Sequence, residues 1–273
     1  MLRAECAKAA ERYGLSLPRG ALSGRIGEHL GRGTGASLEF VDYRDYSAGD
    51  DLRHVDWRAY ARTDQLRVRL FREEVSLSVD VIVDCSASMA VSECKERAVR
   101  DLVAATELWA GNLGGTWRGF VAGGGRIEAR SDLAFPAGSS VDSVVPRAPL
   151  RARSLRILVS DFLFPVDVGP AIRRLAHGAS HLYVLQLLDP VELEPTPSGA
   201  VTLIDCESND ELEITLDARA VRCYRERLVR LRAAVERAVH QVGGSFAQVR
   251  GDEPEAMFRR DLLPAGVLEP RAK

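Results

Sequence analysis

The stretch LSVDVIVDCSASM, residues 77–89, decides the fold class. Its first part is an apolar, β-branched run, which is typical of a central strand buried on both faces. After SASM the chain repeats apolar residues at helical spacing until Gly114 and Gly115 end the pattern. An apolar strand followed directly by a helix indicates an α/β protein with a mostly parallel sheet.

The rest of the chain continues this alternation. A helix is predicted near Val168–His177 and a long one over Ala218–Val242, which ends before two glycines. Residues 190–217 break the rhythm with prolines and alternating apolar residues, and we expect a β-hairpin insertion there. The further predicted strands are Trp117–Ala122, Arg126–Ala129, Leu155–Ser160, Leu182–Leu188 and Ser245–Val249.

Three regions are expected on this basis. Residues 1–75 form an N-terminal segment with a helix at Ala4–Tyr13 and a charged, β-rich part whose alternating ends predict short strands. The α/β domain follows over residues 76–250. Residues 251–273 form a tail, which contains three prolines and is expected to pack loosely.

The composition is that of a globular protein. Of 273 residues, 46% are hydrophobic and 28% charged, and 37 basic against 39 acidic residues leave a net charge of −2. Such a balance gives no general attraction to nucleic acid or anionic membranes. No apolar run approaches the ~18 residues of a membrane span, and the N-terminus lacks the apolar core of a secretion signal. Five widely spaced cysteines favour reduced thiols, and we expect a cytoplasmic protein.

The residues that carry chemistry follow the central strand. Asp84, Ser86 and Ser88 alternate on a turning chain at the carboxyl end of that strand, where open α/β sheets bind ligands. A carboxylate and two hydroxyls can converge on one hard cation, Mg²⁺ above all. Asp161 ends the strand RILVS and would join them if the two strands are neighbours.

This Asp-x-Ser-x-Ser loop resembles the metal-ion-dependent adhesion site of von Willebrand factor type A domains. The resemblance implies a Rossmann-like fold and a site for Mg²⁺ or Mn²⁺ with one open position for a partner's carboxylate. It implies that Asp84, Ser86 and Ser88 are first-loop ligands and that Asp161 is the later aspartate. The family also uses a middle-loop threonine, for which Ser139 is the best candidate here.

A narrower resemblance covers about residues 33–165 and concerns the bacterial "domain of unknown function 58" family. The ordered string is Glu39, Phe40, Arg44, Tyr46, Gly49, Asp50, Arg53, Asp56, Trp57, Ala61 and Arg62, then Glu73 or Glu74 and the Asp84 loop. The resemblance implies a von Willebrand A-like domain and an adaptor or chaperone-like role beside a MoxR-type AAA+ ATPase. Many members carry amino-terminal membrane helices, which this sequence lacks.

Each site has a plainer interpretation. Ser86 or Ser88 could cap a helix, and Asp161 could cap the segment after its strand. The charged segment also contains a cluster of arginines and aspartates: Arg44, Asp50, Arg53, Asp56 and Arg62. We interpret it as an internal ion-pair lattice that docks the segment on the A-like domain, with Trp57 as an apolar anchor. The alternative is a surface that binds a partner or an anion.

We expect a non-enzymatic, Mg²⁺-dependent protein-binding module. No Gly-x-Ser-x-Gly elbow is present, and no histidine is placed by sequence beside a nucleophile. Two alternatives stay open: a metal-dependent phosphatase or hydrolase that uses Asp84, and a structural scaffold with an empty metal site. The arginines of the long helix lack an aromatic platform, so no nucleic-acid partner is expected.

Overall fold

The computed structural model describes residues 4–17, 26–27, 38–73, 77–123, 126–129, 149–164, 167–206 and 209–271. The chain divides into two compact units: Met1–Pro18 joins Leu77–Lys273, and Arg19–Ser76 forms the other. The N-terminal helix and the C-terminal tail therefore belong with the α/β domain and not to separate regions.

Thirteen strands and seven α-helices are present in the described ranges. The strands are β1 (Tyr13–Leu15), β2 (Ile26–Gly27), β3 (Leu38–Asp45), β4 (Arg67–Glu73), β5 (Ser78–Asp84), β6 (Thr116–Gly123), β7 (Arg126–Ala129), β8 (Leu155–Ser160), β9 (His181–Leu188), β10 (Gly199–Ile204), β11 (Glu211–Leu216), β12 (Ser245–Arg250) and β13 (Leu268–Pro270). The helices are α1 (Ala4–Glu11), α2 (Trp57–Thr63), α3 (Glu93–Asn112), α4 (Gly169–Ala176), α5 (Pro190–Leu193), α6 (Ala218–Gln241) and α7 (Pro254–Ala256).

The central sheet has six strands in the order β12-β9-β8-β5-β6-β7, and all are parallel except β7. The predicted mostly parallel, Rossmann-like α/β sheet is confirmed. Alternate residues of β5 enter two hydrophobic cores: Val79, Val81 and Val83 lie in the core that α3 covers, and Ile82 lies in the core under α4 and α6. Burial on both faces explains why this strand is an almost continuous apolar run.

The tail packs closely, and the expectation of loose packing is wrong. Met257, Phe258 and Leu262 are fully buried, and the Phe258 ring contacts the Trp109 ring edge-on with centroids 5.1 Å apart. Strand β13 pairs antiparallel with β1. The apolar residues between the prolines decide this packing, because burying them stabilises the fold more than the prolines disfavour it.

The hairpin insertion and the long helix agree with the sequence. Strands β10 and β11 pair antiparallel as a separate two-stranded ribbon. The residues predicted to face inward on α6 are all buried or half-buried: Val221, Tyr224, Leu228, Leu231, Val235, Ala238 and Val242.

The smaller unit is a three-stranded antiparallel sheet in the order β2-β4-β3, with α2 in the connection between β3 and β4. The predicted short strands are thus confirmed and are longer than expected. Asp56 begins α2, because its Oδ1 accepts hydrogen bonds from the amides of Arg58 and Ala59, both at 3.0 Å.

The charged cluster of this unit forms local pairs. Arg44 donates two hydrogen bonds to Asp50, at 2.7 and 2.8 Å, whereas Arg53 pairs with its neighbour Asp51. Trp57 is 53% exposed, and its ring lies edge-on to the ring of Tyr60 with centroids 6.3 Å apart. The helix begins at Trp57, and the cap at Asp56 holds this first turn with the indole largely in solvent.

Candidate functional site

Two neighbouring strands bring the candidate carboxylates together. Asp84 ends β5 and Asp161 follows β8, and these strands pair in parallel with Val83 opposite Val159. Both carboxylates are buried, at 0% and 1% exposure. The hydroxyl of Ser160 donates to Asp84 Oδ2 at 2.7 Å, which joins the two strand ends. The condition set by the sequence, that the two strands be neighbours, is met.

The first loop gathers its hydroxyls beside Asp84. The Ser86 amide donates to Asp84 Oδ1 at 3.0 Å, and the Ser86 and Ser88 hydroxyl oxygens lie 3.0 Å apart. A short 3₁₀ turn, Ala87–Ala90, produces this arrangement. The side chain of Ser86 caps no backbone amide of that turn, and α3 is capped by Ser92. The capping alternative for Ser86 is therefore not seen.

The second loop holds Asp161 through an unusual backbone. Phe162 adopts a left-handed φ of 58°, although its side chain is buried at 1% exposure. A non-glycine residue in this conformation costs on the order of 1 kcal/mol, and such strain concentrates at functional sites. The amide of Phe162 donates to Ser160 Oγ and that of Leu163 to Asp161 Oδ1, at 3.1 and 3.0 Å. Both bonds fix the direction of the strand end.

Sequence reasoning missed a buried lysine at this site. Lys95 of α3 is fully buried, and its ammonium donates to Asp161 Oδ2 at 2.8 Å and to Glu192 Oε1 at 2.9 Å. The sequence does indicate the burial of Lys95, because this residue lies four positions before Val99 and seven before Leu102, on the inward face of the helix.

Glu192 is the second missed residue. It belongs to a capping box in which Asp189 begins α5 and the Glu192 carboxylate accepts from the Asp189 amide at 2.7 Å. Burial raises the pKa of Glu192, and the Lys95 ammonium opposes this rise. The Ser92 hydroxyl donates to Asp189, so the start of α3 is tied to the start of α5.

The site has an excess of negative charge. Burial, and then the nearby charge of Asp161, raise the pKa of Asp84 to about 6. Asp161 and the half-buried Glu192 share the ammonium of Lys95, whereas Asp84 has no ion-pair partner among the described residues. When all three carboxylates are ionised, their charge exceeds that of the ammonium by two, and the Asp84 carboxylate carries its charge with no exposure to solvent. Such charge is costly unless a cation or protons neutralise it.

The donor set fits a divalent cation in part. Asp84, Ser86 and Ser88 supply oxygen atoms, which Mg²⁺ and Mn²⁺ prefer. Asp161 Oδ2 is already ion-paired with the ammonium of Lys95, so Asp161 is suited to contribute charge or to hold a water ligand. Within the described ranges, no cluster of three or more His, Cys, Asp or Glu side chains is arranged to hold a metal ion. Ser139, the predicted middle-loop ligand, lies outside the described residues.

The sequence pattern of a known family, "Protein of unknown function DUF58", matches residues 42–144 and 133–235. The chain belongs to the DUF58 family. The resemblance stated from the ordered string around Trp57 and Asp84 is thus confirmed at the level of the family. No function follows from this membership, because the family is described as one of unknown function.

The DUF58 protein has relatives in mycobacteria. Uncharacterized proteins of Mycobacterium bovis and Mycobacterium tuberculosis are each 29% identical to it over 250 residues, which cover 83% of this chain and 78% of theirs. An uncharacterized protein of Mycobacterium avium is 29% identical over 126 residues, which cover 46% of this chain and 70% of the relative.

Two solved structures resemble parts of the DUF58 protein. One is the conserved hypothetical protein BatB from Bacteroides thetaiotaomicron, with a TM-score of 0.31, 13% identity and coverage of 62% of this chain and 99% of the other. The other is an aerotolerance-related membrane protein from Bacteroides fragilis, with a TM-score of 0.35, 14% identity and coverage of 66% and 94%. Among the helices described here, none has the length and apolar character to cross a bilayer.

Proposed function

We propose that this DUF58 protein is a protein-binding module whose site depends on Mg²⁺ or Mn²⁺. Asp84, Ser86 and Ser88 would hold the ion directly, and Asp161 would contribute through water. The observation that carries the proposal is the excess of negative charge at the two strand ends, where the buried Asp84 has no ion-pair partner among the described residues and adjoins two hydroxyl oxygens that lie 3.0 Å apart. A divalent cation neutralises that excess.

The rim of the site suits a protein partner. Ser88 is half-buried, so one side of the first loop reaches solvent. Val91 and Leu163, which follow the two site loops, are exposed at 56% and 39%. Exposed apolar residues around a charged centre are typical of interaction sites. A bound cation with only one directly coordinating carboxylate retains the charge to bind an acidic residue of a partner.

The role of Lys95 in this proposal is to limit the charge of the site. Its ammonium neutralises one of the three carboxylates and holds Asp161 away from direct coordination, since the ammonium is 2.8 Å from Asp161 Oδ2. With fewer anionic ligands, the ion stays more electrophilic toward a carboxylate from outside.

We further propose that the module acts without catalysis, as a cytoplasmic adaptor of a MoxR-type AAA+ ATPase or its client. The residue two positions after Asp84 is Ser86, and a serine there supplies no acid–base group for phosphoryl transfer to Asp84. The ATPase partnership rests on the family resemblance.

The metal proposal is tested by calorimetric titration of purified protein with Mg²⁺. The wild type should bind one ion, Asp84→Ala should not, and Ser86→Ala combined with Ser88→Ala should bind at least about tenfold more weakly. Glu107→Gln is the matched control, because it removes an exposed carboxylate from α3 far along the helix. Equal heats for wild type and Asp84→Ala would overturn the metal proposal.

The partner proposal needs a second measurement. A MoxR-type ATPase encoded in the same genome should bind the immobilised wild type in Mg²⁺, and EDTA or Asp84→Ala should abolish this binding. Binding that survives both would contradict a metal-dependent contact. Turnover of p-nitrophenyl phosphate in Mg²⁺, abolished by Asp84→Asn, would instead favour the phosphatase alternative.

A further inference from the structure

A groove of about 680 Å³ runs along the N-terminal half of α6. Its apolar lining includes Pro197, which precedes the hairpin, and Ala218 and Val221 of the helix. Val229, two turns further along, also lines the groove and is 66% exposed. A large apolar side chain with this exposure, beside a concave apolar surface, is typical of a binding site for another molecule.

Arginines border this groove. Arg222, Arg225 and Arg230 line it and are exposed, and none has an ion-pair partner among the residues that the structure describes. Among the described residues of the lining, Glu226 is the one acidic residue, and it forms no ion pair with Arg230, which lies four positions after it. Three guanidinium groups and one carboxylate leave the groove with a net positive charge.

Another helix of the same unit contains arginines that form ion pairs with glutamates of the same helix. On α3, Arg97 pairs with Glu93 and Arg100 with Glu96, each across one helical turn. The arginines of the groove lack this pairing, so their planar donor groups stay available for carboxylates from outside.

We infer that the α6 groove, lined by Ala218, Val221, Arg222, Arg225 and Val229, binds an acidic, amphipathic segment of a partner protein. The apolar floor takes up aliphatic or aromatic side chains of the segment, and the arginines pair with its carboxylates. The apolar floor does not suit a nucleic-acid backbone, and none of the described residues that line it offers an aromatic ring for stacking. The groove contains none of the proposed metal ligands and is independent of the metal proposal.

The test is a selection of random dodecapeptides displayed on phage, performed in EDTA against the immobilised full chain. Peptides from the wild type should be rich in Asp and Glu beside Leu, Ile, Val or Phe. Arg222→Gln, Arg225→Gln and Arg230→Gln combined should weaken these peptides by at least about tenfold. The matched control combines Arg219→Gln, Arg227→Gln and Arg237→Gln, which removes three exposed charges of the same helix outside the groove lining and should leave binding unchanged.

A second variant tests the apolar floor separately. Val229→Glu places a negative charge at an exposed position and should also weaken the selected peptides, with the helical circular dichroism unchanged. The inference is overturned if the selection yields no acidic excess, if the groove variants retain the peptides, or if the control loses them equally. Groove-dependent sedimentation with phosphatidylglycerol vesicles, without peptide binding, would assign the surface to lipid and also overturn it.

Discussion

Replacing Lys95 with methionine tests the buried charge cluster. The ammonium is inaccessible to solvent and contacts two carboxylates at 2.8 and 2.9 Å, one of them also buried. Methionine fills a similar volume but leaves Asp161 and Glu192 without their cation. Removing one partner of a buried ion pair costs about 3–5 kcal/mol, because the other charge stays in a poorly solvating place. For a unit of this size, each kcal/mol lowers the melting temperature by about 2–4 °C.

The measurement is urea unfolding at neutral pH in EDTA, followed by circular dichroism. Arg97→Met on the same helix is the control, because its pair with Glu93 is exposed and should contribute about 1 kcal/mol or less. Lys95→Met combined with Asp161→Asn and Glu192→Gln should recover part of the loss, since no unpaired charge remains. A loss for Lys95→Met no larger than that for Arg97→Met would refute the reasoning.

Three further predictions follow from single residues. In EDTA the pKa of Asp84, about 6 in the native state, is higher than in the unfolded chain, so the native state keeps a proton that the unfolded state releases. The free energy of unfolding should therefore fall by roughly 2 kcal/mol between about pH 4 and pH 6. Urea titrations at stepped pH measure this fall, and Asp84→Asn should abolish it. Trp57→Ala should change the unfolding free energy by less than about 1 kcal/mol because its side chain is largely exposed. Asp56→Ala should destabilise the smaller unit more, because it removes the α2 cap. A larger effect for Trp57→Ala than for Asp56→Ala would contradict the exposed position of Trp57. Gly115→Ala should lower the melting temperature because a Cβ there would lie 2.7 Å from a backbone carbonyl oxygen. Gly111→Ala, which adds a Cβ in open space on α3, should raise the free energy of unfolding by up to about 1 kcal/mol. Equal melting temperatures for the two variants would contradict the close approach at Gly115.

The sequence was sufficient for the parts of the fold that local pattern controls. Apolar runs predicted β5, β8 and β9 to within a residue, because strands buried on both faces must be apolar throughout. The sequence also predicted that Asp84 and Asp161 lie close together, because both stand at strand ends on one edge of a parallel sheet. This prediction required the two strands to be neighbours, and they are.

The rest of the site depends on tertiary contacts that local pattern does not record. Lys95 is usually expected at a surface, and only the position of two distant carboxylates explains its burial. Trp57 is a second example, because the cap at Asp56 sets its position at the start of α2 and its side chain is 53% exposed. The prolines of the tail predict loose packing, but burial of its apolar residues, Met257, Phe258 and Leu262, decides how the tail packs.

The central claim, that Asp84 and its loop bind one divalent cation, is tested most directly by electron paramagnetic resonance of Mn²⁺. Added protein should reduce the signal of free Mn²⁺ with a stoichiometry of one ion per chain, and Mg²⁺ should restore the signal by competition. Asp84→Ala should leave the free Mn²⁺ signal unchanged. A wild-type chain that leaves the free Mn²⁺ signal unchanged, or an Asp84→Ala chain that reduces it equally, would contradict the claim.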